Sequence, residues 1–422
     1  MAIPTRTRSL LAQLLSSESF ERLHVRTAKA VHALAGKEHV VRFFHDPESP
    51  MSWLTAQALL QLQNEQGFSV VGHTLFSQPS DGAGCSAVAR QQRHLEAVQV
   101  ARWHGLKPPE RVPEQAQVET VAGELFEREG NDDWLEAAVN LGNALFCSTS
   151  IPDTMQDLRP LQRNQALLEQ LGHRRGSTVF TDGLWFTEVD GVIQLQEHFE
   201  RLGLPCVTLF QTHPEALPDQ APSKIRFWFR VGDPYCYLAF KTLDALSVSY
   251  GIEIELLPTA NTFENDELSL RRQATAMMEV GREARRLSIP FGRVAGDTPT
   301  PALKLWEIYF ALDGDRDRQR QLLHNAFHAV WVRGMDINDP EILLKVATSV
   351  NLSYEQAKAL MQRQDFNAIP TKNAEFLYDT TGGVHLPVME FNGRYYSGHH
   401  RSEIFRAILE NVQRAKSEGA RR

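Results

Sequence analysis

Two short apolar runs, each breaking at a proline into a helix-patterned stretch, set the plan of this chain. Residues 225–231 (IRFWFRV) hold large apolar side chains in a strand-like run. Residues 235–250 then carry apolar positions at three- to four-residue spacing, which predicts a helix, and 252–258 (IEIELLP) predicts a second strand. A second strand reached through a helix runs parallel to the first, with a right-handed crossover. A worn copy lies upstream, with a strand over 40–44, a helix over 51–66 and a strand over 68–75. Helical patterning follows in both copies, over much of 90–171 and from about 267 to 363 (LKLWEIYFAL, QRQLLHNAFHAVWVRG, PEILLKVATSV). Each copy then shows a hairpin signal, Asp182-Gly183 in the first and Asn392-Gly393 within VMEFNGRYYSG in the second. Helices over 194–202 and 403–413 close the two copies. Aligning the two turns sets Ser177 opposite Pro387, so the first copy lacks the proline that the second carries.

Pro205, Pro214, Pro218 and Pro222 punctuate a polar stretch between the copies. Proline at that density ends helices and cannot donate to a sheet, which marks a linker. The organisation predicted is an α/β chain: an N-terminal helical segment (1–37), a first module (38–203), a linker (204–223) and a second module (224–415). A chain of 422 residues is too long for one ordinary core, in keeping with that division. A formal charge of −8 leaves no basic footprint for nucleic acid, and no run approaches the roughly 18 apolar residues of a membrane helix. The N-terminal apolar patch after Arg6 and Arg8 is broken by Gln13, Ser16, Ser17 and Glu18, so it reads as an amphipathic helix rather than a signal peptide. Cys85, Cys147, Cys206 and Cys236 form no CxxC pair and no zinc spacing. A reduced, cytoplasmic protein without a metal centre is the expectation.

The candidate chemistry sits at the strand-to-helix junctions. The second module carries Asp233-Pro234-Tyr235-Cys236 there, and the first carries Ser49-Pro50-Met51-Ser52. Free N–H groups and the positive dipole end make such a helix start friendly to an anion. Neither box has two cysteines, which excludes an intramolecular dithiol–disulfide cycle. Cys236 is the one cysteine at a helix start, where a thiolate is stabilised, although the fourth position of such a box also suits a packed, inert thiol. Asp or Ser before Pro has a purely structural reading as well, since this pair caps a helix for about 0.5–2 kcal/mol. His324 and His328 share a helix face at i, i+4 but lack a HExxH pattern and read as surface. The aromatic residues Trp228, Phe229, Trp306, Tyr309, Phe310, Phe327 and Trp331 read as core, some of them walling an apolar pocket.

DPYCYLAF, the helical middle ending in HAVWVRGMDINDPEIL, and GGVHLPVMEFNGRYYSGHHR occur in that order. Together they resemble the DsbA-like branch of the thioredoxin superfamily that holds 2-hydroxychromene-2-carboxylate isomerase and kappa-class glutathione transferases. The likeness covers about 224–413, and SPMSWL in the first module is similar to the family box. It implies two tandem thioredoxin-like domains, each with a helical insertion. It also implies a serine at box position one that stabilises the thiolate of glutathione; Ser49 holds that place in the first module and Asp233 in the second. Ser52 and Cys236 fill position four. Leu386-Pro387 resembles the family's cis-proline step, with the Leu386 backbone pairing with glutathione. His400 and Arg401 fall in the turn that holds the γ-glutamyl end, with His400 where the family has Asp. Asp233 and His400 are the two departures, since a carboxylate repels a thiolate and an imidazole is a poor partner for an ammonium group. The activity implied is a glutathione-dependent isomerase or transferase acting on a small aromatic or conjugated electrophile, with glutathione as co-substrate. Two alternatives stand beside it: a monothiol oxidoreductase using Cys236, and a silent scaffold whose boxes are only helix caps. The resemblance further implies a pseudo-dimer of the two modules within one chain, or a homodimer.

Overall fold

The computed structural model describes residues 5–35, 39–76, 86–148, 151, 158–204, 224–260, 270–294, 302–383, 385–401 and 410. The linker (all but Leu204), the closing helix predicted over 403–413 (all but Glu410), and Cys85 and Cys206 lie outside the described residues. The chain divides into two compact units. One comprises Met1–Glu21, Pro222–Leu268 and Ala276–Arg406; the other comprises Arg22–Ala221, Ser269–Thr275 and Ala407–Arg422. The N-terminal helices α1 (Thr5–Leu15) and α2 (Glu18–Ala35) are thus shared between the units, α1 falling in the first of them.

In the unit built around residues 22–221, β1 (Val40–His45) leads into α3 (Pro50–Gln66) and β2 (Ser69–Thr74), and β1 and β2 pair in parallel. Among the described residues four α-helices follow: α4 (Ala87–Trp103), α5 (Gln115–Glu127), α6 (Trp134–Cys147) and α7 (Gln162–Leu171). The hairpin of β3 (Thr178–Thr181) and β4 (Leu184–Thr187) returns antiparallel to β1, and α8 (Glu188–Leu202) follows. The sheet order is β2-β1-β3-β4. The central strand buries Val41, Phe43 and Phe44 completely, which is why it reads as an apolar run.

The other unit repeats this plan. β5 (Lys224–Phe229) leads through α9 (Pro234–Tyr250) to a parallel β6 (Glu253–Pro258). After α10 (Leu270–Arg286), α11 (Leu303–Ala311), α12 (Arg316–Trp331), α13 (Pro340–Thr348), α14 (Tyr354–Leu360) and α15 (Ile369–Thr381), the chain returns as β7 (Val388–Phe391) and β8 (Arg394–Ser397). The order β6-β5-β7-β8 matches the first sheet strand for strand. Both hairpin turns place their two central residues at positive φ, Asp182 and Gly183 at 52° and 77° and Asn392 and Gly393 at 50° and 75°. That is the type I′ geometry for which Asp-Gly and Asn-Gly are preferred.

The sequence reading differs from the structure at two places. The helix α15 was not expected, because Pro370, Thr371, Asn373, Thr380 and Thr381 make it a poor helix by propensity. It forms because Pro370, Ala374, Leu377 and Thr381 bury one stripe. The helix α8 starts at Glu188, six residues before the predicted start. Trp228, Phe229, Trp306, Tyr309, Phe327 and Trp331 are all buried, with Phe310 half-buried, so they fill the core as their spacing predicts. No described helix is long and apolar enough to cross a membrane.

Candidate functional site

The junction of β5 and α9 is held by Asp233. Its Oδ1 accepts from the N–H groups of Tyr235 at 2.8 Å and Cys236 at 3.0 Å, and Pro234 occupies the first helical position. The carboxylate therefore satisfies two of the unpaired donors of the first turn and places its charge at the positive end of α9. Its Oδ2 lies 3.6 Å from the Arg230 guanidinium. The strand register then brings the other half of the junction into place. Trp228 pairs with Val388, so one step further Phe229 meets Pro387 at the strand end from which Asp233 follows. The Leu386–Pro387 bond is cis. The Leu386 side chain packs against Trp228, Leu377 and Val388, while no described group hydrogen-bonds its N–H or C=O.

Cys236 is fully buried. Burial pushes its thiol well above the usual range, and the Asp233 carboxylate adds to that shift. The thiol therefore stays protonated, which removes the property a reactive cysteine needs. In the folded chain at pH 8, Cys236 is expected to resist iodoacetamide and to react only as the chain unfolds, whereas the half-buried Cys147 is modified before it. Mass mapping of alkylated peptides checks this, and native labelling of Cys236 at the rate of a free thiol would count for a monothiol reaction.

His399 and His400, in the turn after β8, sit beside this box. The His399 ring lies 5.0 Å from that of Tyr235 and 3.8 Å from that of His400, centroid to centroid. Tyr235 donates its hydroxyl proton to Glu279 Oε2 at 3.0 Å, and His399 Nε2 is 3.6 Å from Glu283 Oε1. Burial opposes ionisation of Glu283, but hydrogen bonds from Arg286 and His399 outweigh it and hold the carboxyl well below its usual range. Arg401, in the same turn, is buried.

Beyond the box, Tyr237, Lys241 and Asp244 continue along α9 and line a cleft of about 670 Å³ with Arg320, His324 and Arg333. The cleft is lined mostly by polar and charged side chains. Burial works against the charge on Asp244, yet hydrogen bonds from His324 and Arg320 bring its pKa down to about 2. His324 is committed to Asp244 at 2.6 Å, and His328 is exposed. The two histidines share no cluster of metal-type ligands among the described residues.

The first module uses its box internally. Ser49 caps α3, accepting from the Ser52 N–H at 3.3 Å, and its hydroxyl lies 3.5 Å from that of Ser177. The register confirms the alignment read from the sequence: Phe44 pairs with Thr178, so Ser177 stands where Pro387 stands in the other sheet. Ser177 O accepts from Glu188 N and Pro387 O from Gly398 N, the same contact in both copies. Gly176 approaches Asp46 so closely that a Cβ there would lie 2.6 Å from the Asp46 Cβ. Ser52 is fully buried and bonded to His45 Nδ1 at 2.8 Å, so a hydroxyl proposed for chemistry is spent inside the fold. The sequence reading missed His45, which directly precedes the loop to the box, and Glu279 and Glu283, which come to the site only through the packing of α10.

The sheet order, the strand–loop–helix junction and the facing proline define a thioredoxin fold. Residues 224–409 match the DSBA-like thioredoxin domain family, and this part of the chain is such a domain. Among solved structures, the chain is similar to a 2-hydroxychromene-2-carboxylate isomerase at 16% identity, covering 46% of this chain and 98% of that one with a TM-score of 0.39. It is also similar to the cytosolic disulfide reductase DsbM of Pseudomonas aeruginosa (18% identity, 46% and 99% covered, TM-score 0.35). A probable DsbA oxidoreductase of Streptomyces coelicolor gives 16% identity, 45% and 89% covered, and a TM-score of 0.38. A search of curated proteins finds no match.

Proposed function

We propose that the domain spanning residues 224–409 binds a peptide-like thiol, glutathione, between Asp233 and Leu386, and uses it to isomerise or conjugate a small conjugated or aromatic electrophile. The observation that carries this reading is the Leu386 main chain. No described group engages its N–H or C=O at the strand end beside the box, where an extended ligand can pair with them as a short added strand. Asp233 then fixes the protonation state. Its charge already occupies the helix terminus, so the ligand enters as a neutral thiol whose S–H hydrogen-bonds to Oδ2. As sulfur attacks the electrophilic carbon, a C–S bond forms, the conjugated π bond breaks with its electron pair moving into an enolate, and the thiol proton passes to Asp233. For an isomerisation the enolate adduct rotates about the former double bond, the pair returns to re-form that bond as the C–S bond breaks, and Asp233 returns the proton to sulfur; for a transfer Asp233 gives the proton to the enolate carbon and the thioether leaves. Neither route needs an oxidant or reductant.

The polar cleft that begins at Tyr237, one turn from Asp233, is the space for the electrophile. The monothiol reading is disfavoured by the burial and raised pKa of Cys236. Titration calorimetry on the full chain is expected to show reduced glutathione binding with a Kd in the micromolar to low millimolar range, roughly −8 to −4 kcal/mol. Hydrogen exchange at the Leu386 amide is expected to slow in the complex, and Ser49→Ala should change neither result. No binding up to about 10 mM, or unaltered exchange at Leu386, would leave the box a helix cap and the domain a scaffold.

A further inference from the structure

We propose that Glu283, His399 and His400 form a zinc site at the flank of the second box. One ligand atom from each residue lies within 4.8 Å of the others, and His399 Nε2 to Glu283 Oε1 measures 3.6 Å. In a tetrahedral zinc site with bonds of 2.0–2.1 Å, ligand atoms stand about 3.3 Å apart, so small side-chain rotations complete the set. Two imidazoles and one carboxylate are the donor types that borderline divalent metals such as zinc prefer.

The three side chains are also held in place. Glu283 and His399 are buried and His400 half-buried, and the His399 ring packs against those of both Tyr235 and His400. Arg286 donates to both Glu283 oxygens, Nε to Oε2 at 2.9 Å and Nη2 to Oε1 at 2.5 Å. A carboxylate has lone pairs enough to accept those bonds and still ligate, and a hydrogen-bonded carboxylate is the usual state of a metal ligand. The ion ties α10 to the turn after β8. Three protein ligands leave a coordination position for water or an incoming ligand. Sequence spacing could not reveal the set, because Glu283 lies more than a hundred positions before the His pair and only the packing of α10 joins them.

The test uses the full chain, stripped with a chelator and titrated with zinc against a chromogenic competitor in the absence of glutathione, so its outcome is independent of the thiol reading. One zinc per chain is expected, with a rise in the thermal midpoint. His400→Ala is expected to lower the affinity about a hundredfold and abolish that rise, while His324→Ala leaves both unchanged. Cobalt substituted into the wild-type chain should give visible ligand-field bands without sulfur-to-metal charge transfer. Absence of stoichiometric uptake, uptake indifferent to His400→Ala, or a sulfur charge-transfer band each overturns the site.

Discussion

Lowering the pH from 6.5 to 5 is expected to remove about 1.6 kcal/mol more stability from the wild-type chain than from a His45→Asn variant. His45 is 2% exposed, with the Phe43 and Trp134 rings 5.4 Å and 6.0 Å from its own. Burial lowers its pKa from 6.5 to about 3, and the bond with Ser52 opposes this only in part. Ser52 Oγ lies 2.8 Å from His45 Nδ1 and also accepts from the Asp46 N–H at 3.0 Å, so the hydroxyl ties the ring to the loop that leads to the box. The folded chain thus refuses a proton that the unfolded chain takes. The contribution to stability is complete above pH 6.5 and is lost as the pH falls from there toward 3. Asp46, raised to about 6 by burial and by the nearby Glu48 charge, acts in the opposite direction, and His173, lowered to about 4 by burial, acts in the same one. Both are present in the two chains being compared, so the difference in slope isolates His45. Urea unfolding followed by tryptophan fluorescence at several pH values checks it. Parallel stability curves would mean that His45 titrates normally in the fold.

The fold was legible because its signals are local. Parallel β1 and β2, like β5 and β6, came from apolar runs separated by one helix. The turns came from Asp-Gly and Asn-Gly, whose tolerance of positive φ is a property of those residues. The box was legible for the same reason, since Asp233 and Pro234 are neighbours in sequence. What stayed hidden depends on tertiary contact. Nothing in the sequence says that Ser52 turns inward to His45, that Arg401 is buried, or that Glu279 and Glu283 meet Tyr235 and His399. Helix α15 stayed hidden because burial of a stripe overrode poor propensity. The polar lining of the cleft escaped notice because Lys241, Asp244, Arg320 and His324 look like ordinary exposed helix positions until α9 and α12 are placed side by side.

Replacing Asp233 separates its role as a helix cap from its proposed role beside the bound thiol, and the second large effect is expected there. Asp233→Asn keeps an oxygen for the Tyr235 and Cys236 N–H groups but removes the charge. It should stay within about 1 kcal/mol of wild-type stability, because Asn and Asp are nearly equal as caps. Asp233→Ala removes the acceptor and should lose about 0.5–2 kcal/mol. With glutathione bound, removing the carboxylate leaves the sulfur facing the α9 terminus without a like charge, so the pKa of the bound thiol should fall by about one unit or more in Asp233→Asn. Thiolate absorbance followed through a pH titration of the complex reads this directly. At the same time the variant lacks the group proposed to take the proton during attack, so on that proposal turnover of a conjugated electrophile should fall even as the thiolate population rises. A purely capping Asp233 predicts the stability differences alone, with an unchanged thiol pKa in the Asn variant. That combination would remove the thiol from the neighbourhood of Asp233 and leave the carboxylate as a helix cap only.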